Sequence, residues 1–195
     1  MLGQSFVVLT LVALGTVPFG PGLATPPSQS TVACTIYAAG IAFASDSSSV
    51  VVVDSTTTGV PMFAFNAYSS SPRTPAQQGL PLPDSMLQAL QTANEHRESL
   101  RGCLATIAGV EPVSDDTLMA IFGRDHKGWT RFRTRYQSIK RFVLVSRPLT
   151  LPDSSVLLYV AYASDWLAGA GVILHLQRDA GGHWTRKAQA LLWIS

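Results

Sequence analysis

The sequence predicts an α+β fold: a four-stranded antiparallel meander in the C-terminal third, covered on one face by helices from the N-terminal half. Three observations predict it. Up to about residue 136, apolar residues recur at spacings of three and four, the period of a helix with one buried face. Beyond that point, residues 142–146, 156–163, 171–177 and 184–194 form runs with strand character, bounded by turn residues. The links between them, 148–154, 164–170 and 179–182, are too short for crossover helices, so neighbouring strands must run antiparallel.

Residues 1–24 carry no charged side chain, and Phe6 and Phe19 bound an apolar run that leads to Gly22-Leu23-Ala24. Small residues at that point suit a signal peptidase, so residues 1–24 read as a signal peptide cleaved after Ala24, and the chain is expected to be exported, periplasmic or secreted. The run falls short of the about 20 residues of a membrane span, and Gly15 and Pro18 interrupt it, so no span is expected in the mature chain. Residues 25–31 read as a short linker and 32–195 as a single α+β domain, long enough to bury a core.

Within that domain, Val32, Ile36, Ala39 and Phe43 predict a first helix, ended by the polar residues 45–49. The β-branched run Val50-Val51-Val52-Val53 predicts a buried strand, expected at the sheet edge. Pro72, Pro75, Pro81 and Pro83 mark residues 68–83 as a long surface loop. Asp84 opens a helix with Met86, Leu87, Leu90 and Ala93 on one stripe. Ser114 reads as an N-cap, with Asp115 and Asp116 favouring the positive end of the helix dipole. That helix buries Leu118, Ile121 and Phe122 and stops at Gly123; another, from about Lys127, places Trp129, Phe132 and Tyr136 on one stripe.

Cys34 and Cys103 are the only cysteines. In an exported chain an even pair suggests a disulfide; two buried thiols are the alternative, and Thr31-Val32-Ala33-Cys34 loosely imitates a lipid-anchor box.

Charge is sparse, 13% of residues, and unevenly spread. Arg124, Lys127, Arg131, Arg133, Arg135, Lys140, Arg141 and Arg147 with Asp125 carry +7, while the other six bases and eleven acids sum to −5. Such asymmetry points to an anionic ligand or surface, a phospholipid or a polyanionic glycan, met by Arg124, Lys127, Arg131 and Arg135; export argues against nucleic acid. The competing reading makes these bases the solvated face of the helix whose other face is Trp129, Phe132 and Tyr136.

Trp129-x-x-Phe132-x-x-x-Tyr136, followed by Ser146, Asp153, Gly169-x-Gly171, Trp184 and the terminal Trp193-Ile194-Ser195, resembles a C-terminal pattern of exported bacterial proteins of uncharacterised activity. The similarity is strongest over residues 114–195, with a fainter echo at Tyr37 and in the Val50 strand. It implies export and an α+β fold and no particular chemistry. Such proteins often carry cysteines just ahead of the Gly-x-Gly; Trp166, Leu167 and Ala168 stand there instead, so no redox or metal role is implied.

No HExxH, CxxC or Cys/His cluster is present, and neither a metal nor a cofactor is expected. Gly169-Ala170-Gly171 is a fragment of a dinucleotide fingerprint with Leu174 at the third glycine position; it reads as a tight turn using positive φ. Asp125-His126 invites an acid–base reading, although adjacent side chains point apart. His175 and His183 are expected on opposite sheet faces, which rules out a shared metal. The residues singled out for ligand binding are Asp165, Trp166, Gly169 and Gly171 in one loop, with Arg147 as an anion contact. These observations favour an exported, non-catalytic binding or accessory domain. The alternatives are a small hydrolase whose Asp, His and Ser residues meet only in the fold, and a structural or assembly subunit with an exposed apolar patch.

Overall fold

The structure is a computed structural model that describes residues 29–45, 48–58, 82–123 and 126–195. The signal segment, residues 25–28 of the linker, most of the proline-rich stretch, Arg124 and Asp125 lie outside the described residues. The rest of the linker, residues 29–31, belongs to the first helix.

The helices are α1 (Gln29–Ser45), α2 (Asp84–Ala93), α3 (Arg101–Leu104), α4 (Asp115–Phe122) and α5 (Gly128–Arg135). The strands are β1 (Val50–Val53), β2 (Val110–Val113), β3 (Phe142–Val145), β4 (Leu149–Thr150), β5 (Val156–Asp165), β6 (Ala168–Arg178) and β7 (Trp184–Ile194). At the start of α4, Ser114 Oγ accepts from the Thr117 amide at 3.2 Å, satisfying one of the orphan donors of the first turn.

The strands form one seven-stranded mixed sheet, ordered β2-β1-β3-β5-β6-β7, with β4 also paired to β5. The α+β class agrees with the sequence, but a four-stranded antiparallel meander is too narrow a description. β3, β5, β6 and β7 do pair antiparallel in succession. On the far side of β3, β1 and β2 add two parallel pairings, Val51 opposite Phe142 and Val50 opposite Val110. β1 is therefore interior, not an edge strand, which agrees with its burial on both faces. The edge belongs to β2, where Pro112 is tolerated because an edge strand can spare an N–H.

Helices cover both faces of the sheet rather than one. Strand residues alternate in direction, so Val52, Val143, Leu158, Val160 and Leu174 meet Ile36, Tyr37 and Ile41 of α1. The other face splits. Leu157, Tyr159, Ile173 and Leu192 meet Leu87 and Leu90 of α2, while Val51 and Val53 meet Ile121, Trp129 and Phe132 from α4 and α5. Each fully buried Leu, Val or Phe contributes about 1.5–3 kcal/mol, so this three-layer packing is the main source of stability. Gly40 lets α1 lie close to the sheet: a Cβ there would stand 2.4 Å from Leu158 Cδ2.

Cys34 and Cys103 form a disulfide with Cα atoms 4.9 Å apart, tying α1 to α3 across 69 residues of sequence. Among the described residues, no helix is long and apolar enough to cross a membrane.

Candidate functional site

The expected loop 164–170 is almost entirely strand. β5 runs to Asp165 and β6 starts at Ala168, leaving only Trp166 and Leu167 as the turn, with Asp165 opposite Ala168. The register slips between Ala163 and Asp165, which makes Ser164 the extra residue of a β-bulge. Asp165 is thus a strand-end residue, and Gly169 and Gly171 lie inside β6. Neither glycine has a positive φ, so their role is close approach and not a turn. A Cβ on Gly171 would stand 2.0 Å from Nε1 of Trp193, and one on Gly169 would stand 3.0 Å from the Tyr162 carbonyl oxygen.

At this tip Trp166 is 50% exposed and Leu167 85% exposed. The Trp166 ring is edge-on to Phe122 of α4, centroids 6.1 Å apart. Phe122, Gly123, His126 and Trp166 line an open recess of about 460 Å³. Met119, one turn before Phe122, is also exposed. Asp165 braces the turn: Oδ1 accepts from the Trp166 amide at 2.8 Å, and Oδ2 from Arg133 Nη2 at 2.6 Å. The Trp166 amide, and after it Arg133, holds the Asp165 carboxyl below its ordinary pKa.

The basic stretch lies beside the tip. In α5, Trp129 and Phe132 are buried and Tyr136 follows them inward, while Arg133 and Arg135 face out, as the solvated-face reading expects. Arg131 Nε donates to the Ile121 carbonyl at 2.8 Å, placing a cation at the negative end of α4. Lys127 precedes α5 and Lys140 precedes β3 at the same end of the sheet, both exposed. At the other end Asp54 and Asp115 follow β1 and β2 and pair with Arg101 and Arg97, and Asp153 and Asp179 lie in the turns before β5 and after β6.

Arg147 lies at that far end too. It follows β3, whose partner β5 runs the opposite way towards Asp165, so Arg147 and the tip do not share a surface. Its Nη2 is 2.9 Å from Glu98 Oε1, and its amide donates to Asn94 Oδ1 at 2.5 Å. Buried Tyr37 sits close by; burial, then the Glu98 charge, push its pKa up to about 12 against the opposing Arg147.

Another contact, missed in the sequence because its members lie 20 residues apart, bears on hydrolysis. His175 Nε2 is 2.7 Å from Ser155 Oγ, and Ser155 Oγ donates to Asp153 Oδ1 at 2.5 Å. The Ser155 hydroxyl and amide hold Asp153 below its ordinary pKa, so it is an ionised acceptor and fixes the direction of the serine proton. Ser155 Oγ then accepts from the His175 Nε2–H, the reverse of nucleophile activation, and Ser155 is fully buried. Burial, then Lys187, lower the His175 pKa, which keeps the ring neutral, and Asp153 opposes them. The cluster pins the β4–β5 turn to β6.

His183 stands in the β6–β7 turn, 3.7 Å from Asp179, because Arg178 pairs with Trp184 and not with His183. Among the described residues, no group of three or more His, Cys, Asp or Glu side chains is placed to hold a metal. A groove of about 790 Å³ runs along the disulfide between Ala38 and Gly102, and the described residues that line it are uncharged. Compared with protein-family models, curated proteins and solved structures, the chain matches none of them.

Proposed function

We propose that the protein is an exported binding or accessory domain, non-catalytic, that captures an anionic ligand or surface with the β5–β6 tip. The observation that carries this is a half-exposed Trp166, held edge-on to Phe122, at the end of the sheet where the exposed bases Lys127 and Lys140 also lie. An exposed ring offers a stacking face, and the bases supply attraction that falls with salt. The disulfide supports export, since such bonds persist in oxidising compartments.

Hydrolysis is the second reading, because His175 lies within hydrogen-bond reach of Ser155. The burial of Ser155 and the direction of its proton weigh against it. A paired experiment separates the two. Retention on immobilised heparin is expected for the wild type, at reduced strength for Trp166→Ala and Arg135→Glu, with both variants still folded and Trp166→Ala losing no more than about 1 kcal/mol of stability. Turnover of p-nitrophenyl acetate is expected to stay at background. Turnover abolished by Ser155→Ala, or retention indifferent to both tip variants, would contradict the proposal.

A further inference from the structure

The Trp166-Leu167 turn is an unusual choice for a two-residue hairpin. Such turns ordinarily take Gly, Asn or Asp, because the favoured types need positive φ. Neither Trp166 nor Leu167 has a positive φ, and the register shifts at the Ser164 bulge just before them. Turn formation therefore does not explain these two residues. Core packing does not explain Leu167 either, since it is 85% exposed. Met119 at 67% and Ile194 at 71% are exposed at the same end of the sheet, where α4 ends and where β7 finishes beside Ala170. Grouping large apolar residues at one end is costly in water unless that end meets an apolar phase.

The surrounding chemistry narrows what that phase is. Lys127 follows His126 of the recess and Lys140 precedes β3 at the same end of the sheet, both exposed, while Arg133 is bound to Asp165 and Arg131 to the Ile121 carbonyl. A Trp and a Leu at an apex, with exposed bases at the same end, match the two layers of a lipid surface: an acyl boundary beneath, anionic phosphates above. Trp suits that boundary because its ring is apolar and its N–H is polar. Resting on the reading of the tip as the working surface, we propose that it docks on an anionic lipid–water interface. Trp166 and Leu167 enter the headgroup boundary, and Lys127 and Lys140 lie against lipid phosphates.

The test is co-sedimentation of the full chain with vesicles of phosphatidylcholine alone and of phosphatidylcholine mixed equally with phosphatidylglycerol. The apolar, uncharged run near the N-terminus is common to every variant, so the readout is the difference between lipids and between variants. The wild type is expected to bind the mixed vesicles preferentially and to be released by salt. Leu167→Ser should weaken that binding by more than about tenfold without lowering the melting temperature. Lys127→Gln and Lys140→Gln should weaken it about fivefold each. Equal binding to both lipids, or binding indifferent to Leu167→Ser, overturns the inference. Absence of vesicle binding together with Trp166-dependent heparin retention overturns the lipid inference and leaves the tip as a binding surface. Loss of tip dependence in both assays overturns both.

Discussion

The Trp166 ring meets the Phe122 ring edge-on, with the planes at 90°. Phe122 in turn contacts Trp129, Phe132 and Phe142, at centroid distances of 5.0, 6.0 and 5.5 Å. Trp166 is thus the outermost ring of an aromatic cluster whose inner members are core. Truncating the two ends of this cluster should have different effects. Trp166→Ala is expected to cost about 1 kcal/mol, the worth of one edge-to-face contact at a half-exposed site. Phe132→Ala, at a fully buried position, is expected to cost about 3–5 kcal/mol. Urea denaturation of the two variants checks the contrast.

Gly171 leaves no room for a side chain beneath Trp193, whose Nε1 donates to Tyr159 Oη at 3.0 Å. Gly171→Ala is expected to displace the indole, break that bond and destabilise the fold by about 1–3 kcal/mol. A shifted urea midpoint with an unchanged slope is the expected signature.

The disulfide closes a loop across 69 residues of sequence, which in the chain-entropy picture stabilises by about 4 kcal/mol. Reduction, or the paired change Cys34→Ala and Cys103→Ala, should lower the thermal midpoint of the full chain accordingly. An unchanged midpoint would mean that α1 and α3 are held together by packing alone.

Ser154 is the non-glycine residue with a positive φ, 63°, among those described, in the tight turn where the Ser154 amide donates to the Leu151 carbonyl at 2.9 Å. L residues carry a steric cost there that glycine escapes. Ser154→Gly is expected to stabilise the protein by up to about 1 kcal/mol, read by thermal unfolding.

Acid should destabilise the fold in two stages. The folded-state pKa of His175 lies below the ordinary 6.5, so the fold favours the neutral ring; stability falls as pH drops below 6.5 and the unfolded chain takes the proton more readily. Asp153 and Asp165 lie below the ordinary 3.8, so their contribution is complete above that value and is lost as pH falls through their folded-state values. Stability profiles of wild type and His175→Gln check the upper stage, which the variant should flatten.

What the sequence made legible was local. The β-branched run of β1, the Ser114 cap and the Trp129, Phe132 and Tyr136 stripe each carry their own signal within a few residues. What it hid was long-range. The strand 110–113 carries no signal of its own: Pro112 argues against a strand, and only pairing at an edge with β1 makes it acceptable. Two-sided coverage of the sheet was hidden because alternation along a strand does not say what covers either face. The tip was misjudged in form, since Trp166-Leu167 lacks the glycine that announces a two-residue turn. Trp166 and Asp165 were singled out from their residue types, but Phe122, Met119 and Arg133 joined them only through the fold.

The most direct test of the tip as a membrane-facing surface uses the fact that both cysteines are already in the disulfide. A polarity-sensitive fluorophore is attached to the single free thiol of Leu167→Cys, and separately to that of Thr185→Cys, exposed at the opposite end of the sheet. On adding phosphatidylglycerol-containing vesicles, emission at position 167 should shift to the blue and brighten, while position 185 stays unchanged. No change at 167, or the same change at both positions, would contradict the account.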